Sequence, residues 1–178
     1  MKLAASFLVF TLVAAAQDYT AERTSDHGVP VVRLADKVRK VEVTVVPSVG
    51  NLAYEMKVNG KNILYFPSED ISEFQKQPRL AGIPLLAPWA NRLDQQAFFA
   101  NGQKYNFDME LGNVRGEIPI HGLLTNTPHW EVSTVAADSR GARCRGRMKW
   151  LPPLMLLTGL SVLDTPVIMK TTEASIIL

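Results

Sequence analysis

The chain has 178 residues, 47% of them hydrophobic and 20% charged, with a formal net charge of +2. That length carries one domain with a real core, and that charge demands neither nucleic acid nor an anionic membrane as a partner. The single cysteine, Cys144, excludes an internal disulfide framework and a cysteine-based zinc site within one chain.

The stretch "MKLAASFLVFTLVAAAQDYT" opens with Lys2, runs apolar from Leu3 to Val13 and exits through Ala14, Ala15 and Ala16. Charge, apolar run and small residues in that order form the pattern of a secretory signal peptide. Residues 1–16 are therefore expected to be a leader cleaved after Ala16, which places the mature chain in the periplasm or outside the cell, free of the membrane. The apolar run falls short of the about 20 residues a spanning helix needs. A buried N-terminal helix is the plainer alternative.

After the leader the chain reads as strands. In "VRKVEVTVVPSVG", Val41, Val43 and Val45 alternate with Glu42 and Thr44. In "NLAYEMKVNGKNILYF", Leu52, Tyr54, Met56 and Val58 are expected on one face and Ala53, Glu55 and Lys57 on the other. Asn59-Gly60 then supplies a tight hairpin turn, because both residues tolerate positive φ. "FFANGQKYNF" repeats the device with Asn101-Gly102. "HWEVSTVAA" reads as a further strand with Trp130 and Val132 on the buried side. No sustained helical period appears between residues 28 and 137, so the fold class is all-β and largely antiparallel.

Two stretches interrupt this pattern. "APWANRLD" sets Asn91 and Arg92 directly after an apolar, proline-containing run, and "IPIHGLL" sets His121 inside another. Polar groups in such sequence are costly to bury without a partner, which is either the protein itself or a ligand. On residue chemistry alone the plainer readings lead. Arg92 pairs with a carboxylate such as Asp94, Asn91 bonds its own turn, and His121 is a satisfied core histidine. Trp89 is either core or a stacking face for a ring. His27 and His129 read as surface or strand-edge residues.

"GIPLLAPWANRLDQQAFFANGQKYNF", then "IPIHGLL", then "HWEV" together resemble the aldose 1-epimerase (galactose mutarotase) family. The resemblance rests on Asn91-Arg92 closing the apolar stretch, the Asn101-Gly102 hairpin with Tyr105, His121-Gly122, and Trp130 opening the next strand. "GNLAYEMKVNGKNILY" resembles the family's opening hairpin, and the likeness covers roughly residues 38–137. It implies an antiparallel β-sandwich of the galactose mutarotase-like type with a sugar cleft. It implies that Asn91, Arg92 and His121 bind a monosaccharide, a hexose such as galactose or glucose. Arg offers a rigid fan of donors and Asn both a donor and an acceptor, which suits sugar hydroxyls. A neutral histidine does either job and also carries a proton near neutral pH.

The reaction implied by the family interconverts the α and β anomers by acid–base ring opening, with no cofactor and no metal. It needs a proton carrier at the ring oxygen and another at the anomeric hydroxyl. In the family the acid is a second histidine in an Asn-His-x-Tyr-Phe type motif and the base is a late glutamate. This sequence has neither motif, and Glu173 in "TTEAS" lacks the expected surroundings. No residue here is therefore assigned a catalytic role.

Residues 17–143 read as the N-terminal part of such a sandwich, so the fold is expected to be incomplete. From Cys144 the match lapses: a basic cluster of Arg143, Arg145, Arg147 and Lys149 straddles that point, and Pro152-Pro153 and apolar stretches without clear alternation follow. Residues 144–178 are expected to be an atypical tail, supplied by a frameshift or a misjudged gene end. The basic cluster lacks the interleaved aromatics of a nucleic-acid surface, and "LPPLMLLTGLSVL" is too short and proline-broken for a membrane span. The expected function is that of an aldose 1-epimerase with little or no activity in this form. The alternative is a non-catalytic carbohydrate-binding β-sandwich module.

Overall fold

The computed structural model describes residues 18–110, 113–149, 162–170 and 176–177. The expected leader, most of the "LPPLMLLTGLSVL" stretch and Glu173 lie outside them. Five strands in sequential order form one antiparallel sheet: β1 (Tyr19–Asp26), β2 (Val29–Asp36), β3 (Val41–Val46), β4 (Leu52–Val58) and β5 (Lys61–Asn62). A short helix α1 (Ile71–Lys76) follows. Two small hairpins come next, β6 (Ala97–Ala100) with β7 (Gln103–Asn106) and β8 (Val114–Arg115) with β9 (Ile118–Pro119). A second antiparallel sheet closes the molecule: β10 (Glu131–Asp138), β11 (Gly141–Lys149), β12 (Val162–Lys170) and β13 (Ile176–Ile177).

The turns follow from their residues. Asn59 and Gly60 have φ of 50° and 79°, and Asn101 and Gly102 have 50° and 73°, the paired positive values that suit a two-residue hairpin. His27 and Gly28, at 46° and 82°, make a third such turn between β1 and β2, a hairpin that no Asn-Gly announces. His27 is exposed there, and His129 is exposed ahead of β10.

The two sheets meet face to face. Tyr19, Val32, Leu34, Val43, Val45 and Ala53 of the first pack on Ala142, Cys144, Val167 and Met169 of the second. Full burial of an aliphatic side chain contributes about 1.5–3 kcal/mol, so this shared layer is the main source of stability. The opposite face of the first sheet is covered at one end by Ile71 and Phe74 of α1, which pack on Val29, Val31, Leu52 and Tyr54. The helix starts where Asp70 caps it, its Oδ1 accepting the N–H groups of Ser72 at 2.8 Å and Glu73 at 3.0 Å. Six residues are too few to show a helical period in sequence, which is why none was visible there.

One expectation fails inside β4. The register with β3 shifts between Thr44 and Val45, whose partners are Glu55 and Ala53, so Tyr54 is the extra residue of a β-bulge. The bulge inverts the alternation. Met56 parts from Leu52 and Tyr54 and joins Ala53 on the inter-sheet core. Thr44 is buried rather than solvated, its hydroxyl donating to Glu55 at 3.0 Å.

β11 runs straight through Cys144. Ala142, Cys144, Gly146 and Met148 are buried while Arg143, Arg145 and Arg147 are exposed, so the three arginines of the basic cluster lie on the outer face of a strand. β12 pairs with β11 from Gly141↔Lys170 to Lys149↔Val162. Among the described residues no helix is long and apolar enough to cross a membrane.

Candidate sugar site

Asn91, Arg92 and His121 converge although 30 positions of sequence separate the pair from the histidine. The link is made by backbone. Arg92 bridges Ile120, Leu93 N–H donates to Pro119 C=O at 3.1 Å, and Leu123 N–H donates to Ala87 C=O at 2.8 Å. The segment 87–93 thus lies along the segment 119–123. At the centre, Asn91 N–H donates to His121 Nδ1 at 3.2 Å and His121 N–H donates to Asn91 C=O at 2.8 Å.

Both residues sit in the left-handed region with φ of 60°. A side chain there costs on the order of 1–3 kcal/mol, and persists where the surroundings over-determine it. The surroundings here do. Gly122, at φ 65°, passes so close to Ala87 that a Cβ would lie 2.1 Å from the Ala87 oxygen. Thr125 Oγ1 donates to His121 C=O at 2.9 Å, and Asn113 Nδ2 donates to Gly122 C=O at 3.0 Å and to Thr125 Oγ1 at 3.1 Å. Gly50, in the β3–β4 connection, donates its N–H to Thr127 C=O at 2.9 Å and approaches the Thr125 backbone too closely for any Cβ. The site is therefore braced from the first sheet.

Arg92 is exposed and, among the described residues, pairs with no carboxylate, Asp94 included; its Nη1 donates to Asn91 Oδ1 at 3.3 Å. The solvated ion pair weighed from sequence is not what holds it. Trp89 is half-buried, edge-on to Phe107 with ring centres 5.3 Å apart at 88°. Its Nε1 is shut off from water and has no partner among the described residues. Under the loop, Leu124, Trp130 and Met148 form a cluster of their own against Leu85, Ala87 and Leu123. Asn113, Thr125 and the Gly122–Ala87 approach were not legible in the sequence, because side-chain bonds to carbonyls leave no periodic trace. A loop Asn that precedes a His-Gly by eight residues is the one weak sign.

Chemically, the arrangement presents a guanidinium, a carboxamide and an imidazole from one rigid turn pair. Among the described residues no group of three or more His, Cys, Asp or Glu side chains is placed to hold a metal ion.

A profile described as aldose 1-epimerase matches residues 16–144, well over half of the chain. The chain belongs to the aldose 1-epimerase family. Asn91, Arg92 and His121 all fall inside the matched span, and the match stops within β11 although the strand continues to Lys149. Solved structures of the galactose mutarotase-like fold resemble it. A galactose mutarotase-like protein from Clostridium acetobutylicum is 21% identical with a TM-score of 0.68, over 86% of this chain and 46% of that one. A galactose 1-epimerase from Lactobacillus acidophilus is 13% identical with a TM-score of 0.64, over 87% and 45%. A protein from Synechocystis sp. PCC 6803 is 24% identical with a TM-score of 0.56, over 86% and 46%. The chain thus spans a little under half the length of the structures it resembles. No curated protein matches it.

Proposed function

We propose that this chain binds a hexose such as galactose or glucose through Asn91, Arg92 and His121, as the sugar-holding part of an aldose 1-epimerase site. The observation that carries the reading is the reciprocal pairing of Asn91 with His121, at 3.2 and 2.8 Å. It holds two residues in a costly backbone conformation and turns their neighbour Arg92 outward. A pyranose offers hydroxyls that both donate and accept, and this trio matches them with fixed donors and an amide.

The same reading gives the 178 residues little mutarotase activity of their own. Ring opening needs an acid and a base together, each positioned group contributing about 10²–10⁴-fold. The sequence has three histidines, His27, His121 and His129, and only His121 lies in the turn pair. We further propose, on the order of Lys2, the apolar run from Leu3 to Val13 and the small residues Ala14 to Ala16, that residues 1–16 are a leader and the mature chain is exported.

Polarimetry on freshly dissolved α-glucose, with purified chain against a buffer blank, tests the catalytic half of the reading. The expected rate is close to the blank. A rate clearly above it, abolished by His121→Ala, would show that the chain carries its own acid and base.

A further inference from the structure

The Asn91 N–H that reaches His121 Nδ1 at 3.2 Å determines more than position. A ring nitrogen that accepts an amide hydrogen carries a lone pair there and no proton. In the neutral ring the proton then sits on Nε2, the nitrogen away from the Asn91 loop.

We infer that His121 meets the sugar as a fixed Nε2–H donor, and that Asn113 and Thr125 are the positioning residues that hold it so. The role toward sugar rests on the hexose-site reading above; the tautomer and its support rest on the hydrogen bonds alone. Thr125 Oγ1 donates to the His121 carbonyl and accepts from Asn113 Nδ2, whose other hydrogen goes to the Gly122 carbonyl. Ile120 N–H in turn donates to the Asn113 carbonyl at 3.0 Å, closing the loop on itself. Both carbonyls of the left-handed His-Gly turn are thereby held by side chains, and the imidazole follows the turn. Thr125 is 5% exposed, so its hydroxyl stays with these partners rather than with water.

The molecule contains its own comparison. His27 Nδ1 lies 2.6 Å from the Asp26 carboxylate. A carboxylate only accepts, so that ring carries its proton on Nδ1. The two histidines are of opposite tautomer, and one measurement reads both.

The test is 15N NMR of the imidazole nitrogens at neutral to mildly alkaline pH, assigned with His121→Gln and His27→Gln, alongside galactose titration. In the wild-type chain His121 is expected to show a protonated Nε2 and a bare Nδ1, and His27 the reverse. In Asn113→Ala and Thr125→Val the His121 signals should move toward a mixture of tautomers, with galactose affinity falling roughly tenfold, the weight of one hydrogen bond. Thr125→Ser, which keeps the hydroxyl, should retain both properties. A proton on Nδ1 of His121 in the wild-type chain would overturn the inference. So would an unchanged ring in both Asn113→Ala and Thr125→Val. If Thr125→Val fails to fold, the half-buried Asn113 site and the wild-type spectrum still decide. If the wild-type chain binds no hexose, the sugar reading fails by itself, while the ring spectra continue to judge the tautomer and its supports.

Discussion

Gly122 Cα and the carbonyl of Ala87 are in such close approach that a methyl group on Gly122 would lie 2.1 Å from that oxygen. This contact is what lays the Asn91-Arg92 loop against His121. Leu123 N–H bonds the same Ala87 carbonyl at 2.8 Å, so the glycine cannot simply swing away. Fold and candidate site share this one close contact.

Gly122→Ala is therefore expected to cost more than a left-handed alanine alone. The conformation at φ 65° costs roughly 1–2 kcal/mol for any L-residue, and the backbone clash adds to it. Urea denaturation should show a loss of at least about 2 kcal/mol. Gly102→Ala, at φ 73° with open space around it, should lose only about 1–2 kcal/mol. Equal losses for the two variants would mean that the Ala87 contact yields easily.

A buried carboxylate sets the acid limb of stability. Asp36, 4% exposed, accepts the Arg39 N–H at 2.9 Å and the Arg39 guanidinium at 2.9 Å. Burial pushes its pKa up, but the Arg39 bonds and the Tyr19 hydroxyl outweigh burial and hold it below the ordinary 3.8. A depressed native pKa stabilises the fold above the unfolded value, and that contribution is lost as pH falls through the native one. The stability gap between wild type and Asp36→Asn should thus be full at neutral pH and shrink below about pH 4. A gap that widened on acidification would contradict the Arg39 pairing.

The sandwich core shields the only thiol. Cys144 is 2% exposed between the sheets, and burial raises its pKa to about 11. The thiolate is the reactive form, so a disulfide reagent at pH 8 should leave the native chain unmodified and label it fully in urea. Cys144→Ser should destabilise the fold by about 1–3 kcal/mol, the usual burden of placing a more polar hydroxyl in an apolar core. Rapid labelling of the folded protein would place Cys144 outside the core.

The parts of the fold that could be read beforehand are those whose cause is local. Asn59-Gly60 and Asn101-Gly102 announce their turns because positive φ suits them. His27-Gly28 makes the same turn without the signal. His121-Gly122 has the same positive φ pair for another purpose, packing against Ala87 rather than joining two strands. The dipeptide alone does not separate these uses. In β4 the alternation was visible but the bulge at Tyr54 was not, since it answers to the partner strand. In β11 the arginines drew attention as charge, and only pairing with β12 reveals them as the outer residues of a strand. Asn91, Arg92 and His121 stood out by resemblance to a family. Asn113 and Thr125 did not, because their work is to bond carbonyls distant in sequence.

Calorimetric titration of galactose and glucose into the folded chain, into Arg92→Ala and into His121→Ala, tests the central claim most directly. The wild-type chain should bind a hexose, and each substitution should weaken binding by roughly 1–3 kcal/mol, the usual effect of stranding polar partners in a site. Unchanged affinity in both variants, with the fold intact, would put the sugar site elsewhere.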